Sequence, residues 1–150
     1  MVKMTGETSR RNRKPDDAMK AAIAFVERIN ACDAEGLCEL TTEDHRFVDS
    51  TGAAHVGRER MREAWHQYFA MFPDYRIAIS TTFSSGERVA LFGTTCATYA
   101  ASGVRVEMHA TWLAVVRGKR TAEWRVYADN EPARTAMRHR FGVLRQQSPI

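Results

Sequence analysis

The stretch VRVEMHATWLAVVRGKRTAEWRVYADN, residues 104–130, decides the fold of this chain. Two runs rich in β-forming residues, Val104–Val116 and Thr121–Ala128, flank a short connection that contains Gly118. This pattern predicts an antiparallel hairpin. If the chain reverses at Gly118 and the next residue, residues whose numbers sum to roughly 238 face each other, to within one residue.

The two faces of the predicted hairpin differ in character. One face is apolar and carries Met108, Ala110, Trp112, Ala114, Val116, Trp124, Val126 and Ala128. The other is mixed and places His109 near Asp129 and Thr111 near Tyr127. If the mixed face lines a half-buried pocket, this imidazole and carboxylate can exchange a proton near neutral pH. If the apolar face packs into the core, they form an ordinary surface pair, and the sequence leaves both readings open.

The composition indicates one compact domain, since the chain has 150 residues, of which 44% are hydrophobic. No apolar run reaches the length of a membrane span and the N-terminus has no hydrophobic signal segment, so we expect a cytoplasmic protein without a membrane partner. The three cysteines, Cys32, Cys38 and Cys96, lack CxxC spacing and are expected to be reduced thiols.

The net charge of +4 comes from a short N-terminal segment. Residues 1–14 contain five basic residues and one acidic residue, so the remainder is balanced. We expect this basic arm to be disordered and solvated, and we expect no nucleic-acid partner. A second basic cluster, from Arg134 into a predicted C-terminal tail of residues 136–150, either binds an anion or stays in water.

The element pattern predicts an α+β domain over residues 15–135. A first helix runs to Asn30, and Asp33 caps a shorter second helix. A third helix carries an aromatic stripe and stops at Pro73; the stripe is Met61, Ala64, Trp65, Tyr68, Phe69 and Phe72. A short strand before it places His45, Phe47 and Asp49 on one face. Turn residues then separate a run of strands from Tyr75 to Asn130, so we expect three helices packed in a curved, mostly antiparallel sheet.

Several motifs in order resemble the SnoaL-like group of the NTF2-like superfamily. They are Asp49 on the first strand, Gly57-Arg58-Glu59 opening the third helix, Phe72-Pro73-Asp74-Tyr75-Arg76-Ile77, Gly86-Glu87-Arg88-Val89, Gly103, Gly118-Lys119 and Glu123-Trp124-Arg125-Val126-Tyr127-Ala128-Asp129. The resemblance covers residues 16–135 and implies a cone-shaped fold with a deep pocket and a homodimer formed through the sheet. Relatives include polyketide cyclases, ketosteroid isomerases, limonene epoxide hydrolases, dehydratases and proteins that only bind.

The resemblance also suggests which residues form the site. Asp129 lies where cyclases and epoxide hydrolases place a pocket carboxylate, and His109 lies at a site-bearing position of the preceding strand. Asp49 lies roughly where the isomerases keep their base. Epoxide hydrolases carry an arginine two residues before a pocket aspartate. This chain has Glu107 at the comparable position, and this departure counts against epoxide hydrolysis. The isomerases need a tyrosine donor on the first helix. The aromatic residue of that helix here is Phe25, which disfavours steroid isomerisation.

These observations predict a cofactor-independent acid/base enzyme, an isomerase, cyclase or dehydratase, acting on a small hydrophobic carbonyl compound. Asp129 and His109 are the predicted catalytic residues, and Tyr68 or Tyr127 would stabilise an oxyanion. The predicted substrate-binding residues are Tyr68, Trp65, Phe72, Tyr127 and Asp49. The alternative is a module of the same fold that binds a small molecule or dimerises without catalysis. A metal site using His45, His55, His66 or the residues above matches no known spacing, so none is predicted.

Overall fold

The computed structural model describes residues 17–136 and residue 138. The elements in chain order are α1 (Asp17–Asn30), α2 (Ala34–Glu39), β1 (Thr41–Val48), β2 (Ala54–Val56), α3 (Arg58–Met71), β3 (Arg76–Ser85), β4 (Arg88–Tyr99), β5 (Val104–Arg117) and β6 (Arg120–Ala128). Residues 131–136 are helical. The predicted basic arm, residues 1–14, and nearly all of the predicted tail lie outside the described residues.

The six strands form one curved, open sheet in the order β2-β1-β6-β5-β4-β3. Strand β1 pairs with β6 in parallel, and the other neighbours are antiparallel. Helix α1 contacts β3 to β6, and α3 contacts β1 and β2. The predicted α+β cone is confirmed.

The β5–β6 hairpin has the predicted register. Thr111 lies opposite Tyr127, and the strands end at a two-residue turn. Gly118, its first residue, has a φ of 66°, a backbone conformation that glycine adopts without strain and that a type II′ turn requires. The apolar face of the hairpin faces the helices, with Trp112 and Trp124 each 1% exposed.

The helices bury the faces that the sequence predicts. Phe25 of α1 is fully buried, and its ring centroid lies 4.6 Å from that of Trp124. At the end of α1, the Asn30 side chain accepts from the Ile77 amide at 2.7 Å and donates to the Ile77 carbonyl at 3.0 Å, which fixes the helix to β3. Asp33 caps α2 by accepting a hydrogen bond from the Gly36 amide.

Strand β2 was not predicted from the sequence. After β1, the Asp49 carboxylate accepts hydrogen bonds from the Thr51 amide and hydroxyl and from the Ala53 amide, which closes a tight turn. The chain then returns antiparallel to β1, so that His55 pairs with Phe47. None of the described helices is long and apolar enough to cross a membrane.

Candidate functional site

A cavity of about 420 Å³ lies between α3 and the inner face of the sheet. Its α3 wall carries Trp65, Tyr68 and Phe72, at helical spacing on one side of the helix. Its sheet wall carries alternating residues from the part of the hairpin away from the Gly118 turn, including Met108, Ala110, Trp112, Trp124, Val126 and Ala128. A mostly apolar cavity of this size suits a small organic molecule.

Two tyrosines give this apolar cavity a hydrogen-bonding wall. The rings of Tyr68 and Tyr75 meet edge to face with centroids 5.2 Å apart. Their hydroxyls share a hydrogen bond, and Tyr75 also hydrogen-bonds Thr95. All three side chains line the cavity, so they form a chain of hydroxyl groups along one wall.

Burial raises the pKa values of both tyrosines. Burial raises the pKa of Tyr68 to about 12, and the hydrogen bond to Tyr75 opposes that rise. Burial also raises the pKa of Tyr75, and its bond to Tyr68 adds to the rise. Both hydroxyls therefore keep their protons at neutral pH. When Tyr75 donates to Tyr68, the Tyr68 proton is left to point to a ligand.

A histidine and a carboxylate meet at another part of the same cavity. His55 Nε2 lies 3.4 Å from Asp49 Oδ2, and both residues line the cavity. Each side chain is about one third exposed, 35% for His55 and 33% for Asp49. The turn after β1 holds Asp49, and the β1–β2 register places His55 beside Phe47 with ring centroids 6.2 Å apart.

Asp49 is an ionised partner for this histidine. Burial disfavours its ionisation, but hydrogen bonds from Thr51 and His55 outweigh burial and hold the pKa of Asp49 below its ordinary value. Because Nε2 of His55 donates to this carboxylate, Nδ1 is the nitrogen left to accept a proton.

Ser50, Asn130 and Arg134 line the more exposed end of the cavity, which we call the rim. The Asn130 amide donates to the Ser50 hydroxyl, joining the turn after β1 to the end of β6. Arg134 follows in the helical residues after β6, where its amide donates to the Asn130 carbonyl at 2.9 Å. Among the described residues, no group of three metal-binding side chains is close enough to hold an ion.

The sequence matches the family model of the SnoaL-like domain over residues 22–124, which is more than half of the chain. This protein belongs to the SnoaL-like family. Its cone-shaped fold and cavity agree with that assignment. No curated protein shows significant sequence similarity to the chain.

Solved structures share the SnoaL-like architecture at low sequence identity. A protein from Jannaschia sp. CCS1, assigned as a SnoaL-like polyketide cyclase, superposes with a TM-score of 0.75 at 16% identity, covering 84% of this chain and 96% of its own. IdmH from Streptomyces antibioticus, assigned as a polyketide cyclase, gives 0.68 at 22% identity, covering 81% and 99%. A Catenulispora acidiphila protein with a ketosteroid isomerase-like fold, solved with trimethylamine, gives 0.67 at 18% identity, covering 72% and 84%. These likenesses establish the fold alone.

The structure separates the residues that the sequence predicts for the SnoaL-like site. Trp65, Tyr68, Phe72 and Asp49 line the cavity. His109, Asp129 and Tyr127 do not line it, and all three are exposed.

Strand alternation is the reason for this separation. The neighbours of His109, Met108 and Ala110, face the cavity, so His109 faces away from it. Asp129 instead accepts a hydrogen bond from the Glu131 amide at the start of the helical residues. The expected pocket position of this pair is therefore corrected, and its catalytic role stays a prediction without support from the geometry.

Sequence reasoning missed His55, Tyr75 and the rim of the SnoaL-like cavity. The sequence did contain a signal for His55, because turn-forming residues after Asp49 precede the short run that forms β2. Three residues are too few to give a readable alternation. Tyr75 was visible in the sequence only as part of the motif that follows α3. Its contact with Tyr68 depends on the path of the chain between α3 and β3.

Proposed function

We propose that this protein is a cofactor-independent acid/base enzyme that isomerises, cyclises or dehydrates a small hydrophobic carbonyl compound. The observation that carries the proposal is the presence of the Asp49–His55 pair and the Tyr68 hydroxyl on the walls of one apolar cavity. An apolar cavity strengthens the interactions of both groups with a substrate, because charges attract and hydrogen bonds form more strongly where water is excluded. The assignment of structural neighbours to the polyketide cyclases supports the same substrate class.

In this proposal His55 is the general base and Asp49 positions it. The ionised carboxylate accepts a hydrogen bond from Nε2–H, so Nδ1 presents its lone pair to the substrate. The same carboxylate stabilises the imidazolium that forms when Nδ1 takes up a proton. The distance of 3.4 Å between Nε2 and Oδ2 is at the long end of the hydrogen-bond range. We therefore assign the proposed catalytic roles to Asp49 and His55 instead of the sequence-predicted His109 and Asp129.

Tyr68 stabilises the charge that proton removal creates. When His55 takes a proton from the carbon next to a carbonyl, the C–H electron pair forms the enolate double bond and the carbonyl oxygen becomes negative. The Tyr68 hydroxyl donates to that oxygen, and Tyr75 supports it by donating to Tyr68. Returning the proton from His55 to another carbon completes isomerisation. In cyclisation the enolate carbon attacks a second carbonyl, and the oxygen that becomes negative takes back the proton held by His55. Removal of a further α-proton with release of this hydroxyl as water completes dehydration.

The direct test is exchange of α-protons for deuterium in D₂O, followed by proton NMR with a panel of bicyclic enones and 1,3-diketones. We expect the protein to accelerate exchange for at least one compound, and His55→Gln to slow it by roughly 100-fold, as loss of a general base does. Asp49→Asn and Tyr68→Phe should slow it by roughly tenfold or more.

The matched controls are His109→Gln and Asp129→Asn, which change the exposed pair in the same chemical way. Unchanged exchange in these two variants supports the cavity pair. Loss of exchange in the controls with normal exchange in His55→Gln would return the catalytic role to the sequence-predicted residues.

A non-catalytic binding module is the second candidate. The Asp49 turn favours it, because the hydrogen bonds from Thr51 and Ala53 give this carboxylate a structural role that needs no reaction. Tight binding of the same compounds without any exchange would identify the protein as such a module.

We also propose that the protein forms a homodimer through the outer face of the sheet. Phe83, Phe92 and Tyr127 are exposed on this face, at 65%, 38% and 53%. Phe92 and Tyr127 both lie opposite Thr111, one on each neighbouring strand, and the Phe83 ring meets Phe92 with centroids 6.0 Å apart. Aromatic groups clustered on a face are typical of association surfaces.

A further inference from the structure

Arg134 is the one arginine or lysine among the described residues that line the cavity. It lies in the helical residues after β6 and is exposed, so its guanidinium is at the rim. Most of the remaining wall is apolar, with Trp112 and Ala110 opposite Trp65 and Phe72. A ligand therefore meets a full positive charge at one end of the cavity and an apolar surface beyond it.

The described residues leave the positive charge of Arg134 unpaired. No carboxylate of the described part of the chain lies within salt-bridge distance of it. One turn further on, Arg138 does have a partner, since it donates to Glu131 at 2.8 Å. Asp49, the acidic residue of the cavity wall, is already bonded to the Thr51 and Ala53 amides and to His55.

The rim also offers a neutral donor beside this charge. The Ser50 hydroxyl oxygen accepts from the Asn130 amide, so the hydroxyl proton remains free to donate to another group. An arginine and a hydroxyl at one end of an apolar cavity are the groups that recognise a carboxylate, because charge-assisted hydrogen bonds to a carboxylate are stronger than neutral ones.

We propose that Arg134 is a specificity-determining residue that binds a carboxylate group of the substrate at the rim. The inference rests on the proposed function and narrows its substrate class to hydrophobic carbonyl compounds that also carry an acid group. The carboxylate binds between Arg134 and Ser50, and the apolar body of the substrate enters the cavity toward Tyr68. Arg134 selects and orients the substrate and takes no part in proton transfer.

The test uses two ligands of the same shape, adamantane-1-carboxylate and 1-adamantyl methyl ketone. All three tryptophans of the chain, Trp65, Trp112 and Trp124, line the cavity, so their fluorescence reports binding directly. We expect the wild-type protein to bind the carboxylate roughly tenfold more tightly than the ketone at low ionic strength. This preference should shrink as salt is added, because the rim is exposed to solvent.

Arg134→Gln should abolish the preference and leave ketone binding unchanged, which also shows that the variant is folded. Arg138→Gln is the matched control, since it removes a neighbouring arginine that is paired with Glu131, and it should keep the wild-type preference. Equal binding of the two ligands by the wild type, or a preference that survives in Arg134→Gln, overturns the role of Arg134 while the proposed cavity function stands. Binding of neither ligand overturns both.

Discussion

Asp49 and His55 lie on the wall of the cavity, whereas His109 and Asp129 lie on the opposite face of the sheet. By residue type the two pairs are equivalent, since each consists of one histidine and one aspartate. The second pair is nevertheless flanked on both strands by residues that do face the cavity, such as Met108 and Ala128. One step in the alternation of a strand therefore decides which pair faces the cavity.

The largest expected effect tests this alternation on β6, where Trp124 faces inward and Tyr127 faces outward. Trp124→Ala removes a side chain packed on Phe25 and should lower the free energy of unfolding by about 3–5 kcal/mol. Tyr127→Ala should change it by less than about 1 kcal/mol in the monomer, because the ring is 53% exposed. Urea denaturation monitored by circular dichroism measures both, and equal losses would contradict the assigned faces.

A second experiment tests whether the outer face has a partner. Phe92→Glu places a charge in the middle of the exposed aromatic surface and should weaken a homodimer by about 2 kcal/mol or more. Analytical ultracentrifugation of wild type and variant over a range of concentrations measures this change. Glu87→Gln, at the exposed turn before β4, is the control and should leave association unchanged. A wild-type chain that sediments as a monomer at high concentration would exclude the dimer.

The smallest expected effect is the pH dependence of the free energy of unfolding that His45 causes. His45 is fully buried on β1, and the exposed His109 serves as its comparison. Burial lowers the pKa of His45 below its ordinary value of 6.5, although the hydrogen bond that Nδ1–H donates to the Thr121 carbonyl at 2.8 Å opposes this shift. As the pH falls below 6.5 the unfolded chain takes up a proton that the folded chain resists. The free energy of unfolding should therefore fall with pH in this range, by at most about 1.4 kcal/mol per pH unit.

Urea denaturation between pH 7.5 and pH 5.5 checks this slope. His45→Gln should flatten it, whatever its effect on stability at pH 7.5, and His109→Gln should retain the wild-type slope. A wild-type slope that survives in His45→Gln would show that another group takes up the proton.

The sequence was sufficient to predict the parts of the fold that depend on local chemistry. The Gly118 turn set the hairpin register, and the spacing of Trp65, Tyr68 and Phe72 identified the cavity face of α3. The choice of face for His109 could not be made locally, because it depends on which side of the sheet the helices cover. The pairing of β1 with β6 has no local signal, so Arg134 could not be assigned to the cavity, and Asp49 was assigned to the site only through the family resemblance.

The parallel pairing of β1 with β6 joins segments that are far apart in the chain. The hydrogen bond between Ser50 and Asn130 at the rim spans 80 residues. Contacts of such long range close slowly, because the entropy of the intervening chain must be lost first. During synthesis on the ribosome the helices and the Asp49 turn can form early, but the entrance to the cavity is completed only after Arg134 has emerged. The inner wall and the rim are therefore completed almost together, because Trp124, Val126 and Ala128 emerge only a few residues before Arg134.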